Sequence, residues 1–127
     1  MKTEFNNNFP IYLQLVENLK IAIISGKIKP GERLLSVRDL AVQSKVNPNT
    51  VQKALAELED MKLIFTERTN GKFVTTDEKL INDLKEDYAD KLSRDYFKTM
   101  NDIGFNNEKA IKYLQKLEGE NNGTTKM

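Results

Sequence analysis

The sequence predicts a mostly α-helical chain with one small β hairpin. Two helix start signals stand close together between residues 36 and 50, and an Asn-Gly pair lies between two runs of β-forming residues near residue 70. Helical periodicity then returns over most of the remaining chain. Two short helices followed by a hairpin are the outline of a helix-turn-helix with a wing, here with two more helices after it.

The first three helices are predicted from their caps and their apolar spacing. Pro10 suits the first position of a helix that runs to residue 25, and Gly26 is its natural stop. Ser36, with Asp39 three residues later, resembles a capping box that opens a short second helix. Asn47 and Pro48 then act as cap and first residue of the third helix, which carries apolar residues at helical spacing.

After residue 60 the spacing of apolar residues changes from helical to strand-like, and it becomes helical again after residue 77. Residues 63–66 and 72–75 form two β runs around Asn70-Gly71, which is a strong hairpin signal. A helix follows from Glu78 to about Met100, and a last helix is capped by Asn106 or Asn107. We therefore expect a winged helix-turn-helix domain over residues 9–76, a helical dimerisation region over 77–118 and a disordered tail over 119–127.

Composition excludes several classes of chemistry. The 127 residues include no cysteine and no histidine, so disulfides, thiolate or imidazole zinc sites and cysteine nucleophiles are absent. We expect no cofactor, no metal, no membrane segment and no secretion signal, and hence a cytoplasmic protein. Residues 1–76 hold 11 basic and 8 acidic side chains, against 9 and 11 in residues 77–127, so the first part is the one suited to a polyanion.

Several segments together resemble the winged helix of the GntR family of bacterial transcription regulators. They are Pro10-Ile11-Tyr12, the stretch from Ile24 to Leu34 (ISGKIKPGERL), Ser36 to Ala41 (SVRDLA), Val46 to Val51 (VNPNTV) and Gly71 to Val74 (GKFV). The resemblance covers about residues 9 to 75. The Pro-Asn-Thr start of the third helix and the short tail resemble the YtrA subfamily, which implies the lack of a large effector-binding domain and control of a transport operon.

The chain departs from that family pattern at a few positions. Leu35 stands where the family usually has proline, which removes a restraint on φ. Lys62 replaces a common glycine, which implies a non-glycine residue in a left-handed conformation. Thr69 and Asn70 make the wing less basic than is usual.

The candidate DNA-binding residues lie on the second and third helices and on the wing. The resemblance implies that Arg38 contacts DNA and that the wing enters a minor groove. At the third helix we expect short polar groups and free amides to meet phosphate, while Gln52 can pair with adenine. Asn47 and Pro48 also suit a plain cap, and Asn70 and Gly71 an ordinary turn. The full predicted set is Arg38, Asn47, Pro48, Asn49, Thr50, Gln52, Lys53, Arg68, Asn70, Gly71 and Lys72.

The two trailing helices carry apolar stripes that need a partner. Such a stripe can be intramolecular core, but two trailing helices on a small domain offer it little to cover, so a homodimer is favoured. Its tyrosines could instead line a pocket for a small-molecule effector, whose existence stays open. The predicted dimerisation residues are Ile81, Leu84, Tyr88, Leu92, Tyr96, Ile111 and Leu114.

Three functional hypotheses follow. The favoured one is a homodimeric, sequence-specific repressor that binds a palindromic operator on double-stranded DNA and catalyses no reaction. The alternative is a winged-helix protein-interaction module without specific DNA binding, which the weakly basic wing favours. An enzyme is the least favoured, because like charges on an exposed helix usually form a solvated face. The acidic residues concerned are Asp83, Glu86, Asp87 and Asp90.

Overall fold

A computed structural model describes residues 10 to 125 of the chain, with side chains up to residue 121. The elements are predominantly helical, with one two-stranded antiparallel hairpin, as the sequence predicts. In chain order they are α1 (Ile11–Ile24), α2 (Val37–Ser44), α3 (Pro48–Asp60), β1 (Ile64–Glu67), β2 (Gly71–Val74), α4 (Glu78–Asp102) and α5 (Asn107–Thr125). Phe9, predicted as the start of the domain, and Lys126 and Met127 of the predicted tail lie outside the described residues.

Contacts divide the chain into two compact units, and the division falls between Lys85 and Glu86, inside α4. The sequence had suggested a boundary at residues 76 and 77, directly after the wing. Ile81 accounts for the difference, because its side chain is buried and belongs to the first unit. The first two turns of α4 are therefore part of the winged unit.

Helix α3 lies at the centre of the first unit, where it packs against α1, α2 and β1. Its apolar residues recur at helical spacing and are fully buried, while the residues between them face solvent. Burying side chains of this size stabilises a fold by about 1.5–3 kcal/mol each. The largest fully buried apolar side chains are Leu15, Leu19, Ile23, Leu55, Leu58, Leu63, Val51 and Val74.

The caps of α2 and α5 and the stop of α1 are where the sequence places them, whereas Pro10 is the N-cap residue of α1 and not its first residue. The N–H of Asp39 donates to the Ser36 hydroxyl at 3.1 Å, which opens α2. Gly26 follows α1 with a φ of 83°, in the left-handed region that glycine adopts without strain. In the second unit the N–H of Lys109 donates to the Asn106 side chain at 2.9 Å, so Asn106 is the cap of α5.

Two lysines occupy the left-handed positions at which α2 and α3 end. Lys45 has a φ of 57° and Lys62 a φ of 65°. After α3, the N–H of Lys62 donates to the carbonyl of Glu59 and the N–H of Leu63 to that of Leu58. This is the Schellman arrangement, in which glycine is usual at the left-handed residue. The expectation for Lys62 is confirmed.

The hairpin is confirmed, but its turn differs from the expected two-residue form. Glu67 pairs with Gly71, so Arg68, Thr69 and Asn70 form a three-residue loop. Gly71 is then the first residue of β2 and has a φ of 96°. Glycine adopts a positive φ without strain, which explains why it stands where the chain leaves the loop.

The second unit contains the end of α4 and all of α5, joined through Gly104, which has a φ of 101°. The Tyr96 hydroxyl donates to the carbonyl of Ala110 at 2.7 Å, and the rings of Phe105 and Tyr113 meet edge-on at 6.0 Å. Helix α5 continues to Thr125. The disorder predicted from residue 119 is therefore wrong for residues 119 to 125.

Replacing Lys62 with glycine should stabilise the first unit. A side chain in the left-handed region costs the folded state about 1–2 kcal/mol. Glycine avoids this cost but loses about 0.5–1 kcal/mol more conformational entropy on folding. We therefore expect Lys62→Gly to raise the free energy of unfolding by about 0.5–1 kcal/mol, measured by urea denaturation. Ala56→Gly, at an exposed position inside α3, should lower it by about 1 kcal/mol. A loss of stability in Lys62→Gly would contradict this account.

Candidate nucleic-acid interface

The start of α3 is closed by its own cap. The N–H of Asn49 donates to the Asn47 side-chain oxygen at 2.7 Å, and the N–H of Thr50 donates to the Asn47 carbonyl at 2.9 Å. Pro48 has no N–H. The amides expected here to meet a phosphate are therefore bonded within the cap, which is the other role that the sequence predicts for Asn47 and Pro48. Only side chains at this helix end remain as donors.

The exposed face of α3 carries the polar residues that the sequence singles out. Asn49, Gln52 and Lys53 are exposed, whereas Val51 and Ala54 between and after them are fully buried. Thr50 is half-buried. An exposed helical face with amide side chains has the donors and acceptors that base edges in a major groove require.

Lys53 is held by an aromatic ring from another helix. Its ammonium nitrogen lies 4.0 Å from the centre of the Tyr12 ring of α1, within the range of a cation–π interaction. The charge of Lys53 is thus placed beside α1 at the edge of the exposed face.

Arg38 lies in the first turn of α2 and is exposed. Within residues 10–121 its guanidinium takes part in no ion pair. A planar group with several donors in this position suits either a guanine edge or a phosphate.

The wing does not present its predicted cations equally. Arg68 and Asn70 lie in the exposed loop, and the Asn70 amide donates to the Glu67 carboxylate at 3.2 Å. Lys72 lies at the same end of the hairpin, but its ammonium group donates to the Glu59 carboxylate of α3 and to the Thr66 hydroxyl. The structure thus places Lys72 between the wing and α3.

Glu59, Thr66 and Lys72 form a closed hydrogen-bonded cluster. The Thr66 hydroxyl donates to the same Glu59 oxygen at 2.9 Å. The hydrogen bond from Lys72 is the main cause that lowers the pKa of Glu59 below 4.5; partial burial opposes it, and the Thr66 bond and the charge of Lys72 reinforce it. The cluster joins the last turn of α3 to both strands of the wing.

Sequence reasoning missed Glu59 and Thr66. A signal was present in the period of two along each strand. Residues 64 and 66 share one face of β1, and residues 72 and 74 share the matching face of β2. Since Ile64 and Val74 are buried, Lys72 has to point toward the core side, where α3 lies.

The predicted dimerisation residues fall into two groups. Ile81 is buried in the first unit, and the Tyr96 hydroxyl is bonded within the second. Leu84 and Tyr88 are half-buried. The other predicted residues, Leu92, Ile111 and Leu114, are exposed. Ile103 and Leu117, which were not predicted, are exposed as well.

Several acidic residues of α4 form ion pairs along the helix. Asp83 accepts from Lys79 and Asp90 from Arg94, each at 2.9 Å and at a spacing of four residues. The hydrogen bond to Asp83 raises the pKa of Lys79 above its usual value. In the part of the chain that the structure describes, no three acidic side chains group as metal ligands, and no helix is long and apolar enough to cross a membrane.

A surface depression lies at the turn between α4 and α5, lined by Asn101 and residues 104 to 107. Tyr88 and Tyr96 do not line it. The structure therefore does not place this depression on the tyrosine stripe, where the sequence had suggested an effector pocket.

The first unit has the architecture of a winged helix-turn-helix transcription regulator, with α2 and α3 as the two helices and the hairpin as the wing. Residues 11–74, half of the chain, match the family described as bacterial regulatory proteins, gntR family. The chain belongs to this family. Proteins of this family and fold are transcription regulators and not enzymes, as the sequence predicts.

Two curated relatives extend this finding. The chain is 30% identical to the HTH-type transcriptional regulator YhcF of Bacillus subtilis, over 91% of this chain and 95% of that protein. It is 43% identical to the HTH-type transcriptional repressor YtrA of Bacillus subtilis, over 55% of this chain and 54% of YtrA. The predicted resemblance to YtrA-like regulators is confirmed.

Two solved structures are similar as well. A GntR family transcriptional regulator from Listeria monocytogenes is 40% identical with a TM-score of 0.82, over 88% of this chain and 98% of that one. The AraR DNA-binding domain in complex with operator ORE1 is 27% identical with a TM-score of 0.51, over 59% of this chain and 94% of that one.

The Glu59 cluster should make the free energy of unfolding depend on pH in the acidic range. Because the folded state lowers the pKa of Glu59, its contribution is complete well above pH 4.5 and is lost as the pH falls through the lower folded value. Both partners are about a third exposed, so we expect Glu59→Gln to cost at most about 1 kcal/mol at pH 7. The difference from the wild type should shrink at pH 3 in urea unfolding followed by circular dichroism.

Glu57→Gln serves as the control for this measurement. It removes the same charge from the same helix, and Glu57 takes no part in the cluster. An equal cost of Glu59→Gln at both pH values would show that the ionised carboxylate does not hold the wing.

Proposed function

We propose that this regulator is a homodimeric repressor that binds an inverted-repeat operator on double-stranded DNA in the cytoplasm. The observation that carries the proposal is the exposed polar set on α2 and α3. Arg38, Asn49 and Gln52 are exposed on the two helices of the helix-turn-helix, and within residues 10–121 Arg38 takes part in no ion pair. A scaffold that only packs against proteins does not require these groups.

The proposed reading set follows the sequence prediction, with roles adjusted to the geometry. Arg38 and Gln52 contact base edges, while Asn47, Pro48, Asn49 and Thr50 shape and line the start of α3 against the DNA. Lys53, which lies beside Tyr12, contacts the DNA backbone. Arg68, Asn70 and Gly71 form the part of the wing that enters the adjacent groove. The similarity to a DNA-binding domain solved with its operator supports operator DNA as the partner.

The proposed dimer uses the second unit. Leu92 is 66% exposed and Leu114 is 47% exposed, and Ile103, Ile111 and Leu117 are also open to solvent. Exposed large apolar groups on two neighbouring helices are typical of an association surface. A two-fold dimer presents two reading surfaces to inverted half-sites whose centres are separated by about 34–36 Å. Ile81 and Tyr96 already have partners in their own chain and are left out of this surface.

Selection from a random DNA pool tests the function directly. We expect enrichment of a pseudo-palindrome, with half-sites about one helical turn apart. No enrichment over the starting pool would contradict the proposal and support the protein-interaction alternative. The enriched sequence also locates candidate promoters for the regulated genes.

Arg38→Ala should weaken binding to the selected operator by about 5- to 150-fold, since one arginine contact to a base is worth about 1–3 kcal/mol. Affinity for a scrambled duplex should change much less. Gel-shift titrations of both duplexes measure the difference. Gln43→Ala, at another exposed position on α2, is the control and should bind as the wild type does. Unchanged operator affinity in Arg38→Ala would remove this residue from the site.

Leu114→Glu should convert the dimer to a monomer and lower operator affinity at least about tenfold, because an unpaired charge would be placed in an apolar contact. Gln115→Glu adds the same charge at the neighbouring exposed position on α5 and should stay dimeric. Sedimentation velocity gives the oligomeric state, and a gel shift gives the affinity. A dimeric Leu114→Glu variant would show that the interface lies elsewhere.

A further inference from the structure

The segment before α2 runs along β2 and is hydrogen-bonded to it. The N–H of Gly31 donates to the carbonyl of Val74, and the N–H of Val74 donates to the carbonyl of Glu32. The N–H of Leu34 donates to the carbonyl of Lys72 at 2.8 Å. Arg33 therefore lies directly opposite Phe73 in an antiparallel bridge. A single β-bridge with flanking hydrogen bonds thus fixes the segment before α2 along the outer edge of β2.

Register places the side chain of Arg33 on the outer face of this sheet. Phe65 and Phe73 are paired there, with ring centres 5.9 Å apart, and Gly71 lies two residues before Phe73 on the same face. A Cβ on Gly71 would lie 3.1 Å from Nε and 3.3 Å from Nη2 of Arg33. The guanidinium of Arg33 thus occupies the space that a side chain at Gly71 would take.

Lys72 lies on the opposite face. It pairs with Thr66 across the hairpin, and its ammonium group bonds Glu59 and Thr66. Arg33, in contrast, is exposed and forms no ion pair within residues 10–121. The acidic residue that register places opposite Gly71 is Glu67, whose carboxylate accepts from the Asn70 amide. At the loop end of the wing, the outward cations are therefore Arg33 and Arg68.

We propose that Arg33 contacts a DNA phosphate beside the wing, and that Lys72 is a positioning residue that holds the wing on α3. The proposal rests on the DNA-binding function above. A guanidinium presents a planar fork of donors that matches two phosphate oxygens. The Arg33 guanidinium lies beside Gly71, the first residue of β2 after the loop. This is where the wing would meet the backbone of the duplex. Lys72, already bonded to a carboxylate, releases no counterion on binding.

The salt dependence of binding separates the two roles. Each phosphate contact steepens the slope of log K against log salt concentration by about 0.9. We expect Arg33→Gln to make that slope shallower by about this amount and to weaken binding to every duplex by a similar factor. Arg33→Lys keeps the charge and should keep most of the slope. Lys72→Gln should weaken binding but leave the slope close to that of the wild type.

Lys29→Gln is the matched control. It removes one exposed positive charge two residues before Gly31, which bonds Val74 at the end of the hairpin away from the loop. Its slope should equal that of the wild type. Each variant's melting temperature is measured in parallel, because a merely structural role of Arg33 would lower the melting temperature without changing the slope. An unchanged slope in Arg33→Gln, or a loss of slope in Lys72→Gln instead, overturns the proposal.

The titrations use both the operator selected from the random pool and a scrambled duplex. Phosphate contacts do not depend on sequence, so the Arg33 effect is measurable on either. If an operator is selected but the salt slope of Arg33→Gln equals that of the wild type, Arg33 does not contact phosphate and the proposed function still stands. If the pool yields no operator but Arg33→Gln still loses slope on the scrambled duplex, the Arg33 contact stands and sequence-specific regulation is ruled out.

Discussion

The pairing register of the hairpin decides what each side of the wing can do. Ile64 opposite Val74 places an apolar pair on the side of the core, and the next inward pair, Thr66 and Lys72, meets Glu59 at the end of α3. A shift by one residue would exchange both faces and leave Glu59 without its partners. The position of the wing relative to the reading helix therefore depends on this register as much as on the buried core.

The second unit is stabilised differently from the first. Its helices carry ion pairs at a spacing of four residues, such as Lys91 with Asp95 and Lys98 with Asp102. Such exposed pairs each contribute only about 0.3–0.5 kcal/mol. Among the described residues of this unit Ala110 is the one apolar side chain that is fully covered. A unit with so little core of its own gains most from burying its exposed leucines and isoleucines against another surface.

Local chemistry explains which features could be predicted. The caps at Ser36 and Asn47 and the glycine stop depend on neighbouring residues, and all were predictable. The left-handed Lys62 was expected from the family pattern, in which glycine is common at this place. The pairing of Arg33 with Phe73 joins residues far apart in the chain, and no local pattern signals it. For Lys72 the alternation along β2 gives the direction of the side chain, but it does not identify Glu59 as the partner. The end of α5 was missed for another reason: once a helix is nucleated, each added residue gains a hydrogen bond, so a polar segment can extend it to Thr125.

The bridge between Arg33 and Phe73 has a topological consequence. It closes a chain loop of about 40 residues, at an entropic cost of about 3 kcal/mol. Every proposed DNA-binding residue, from Arg33 itself through α3 to Gly71, lies at its edge or within it. A closure of such long range is slow to form. Opening the bridge alone would release the segment that carries Arg33 from β2, whereas α3 would stay packed against α1, α2 and β1. The phosphate contact proposed for Arg33 therefore depends on this bridge, and the base contacts proposed for α3 do not.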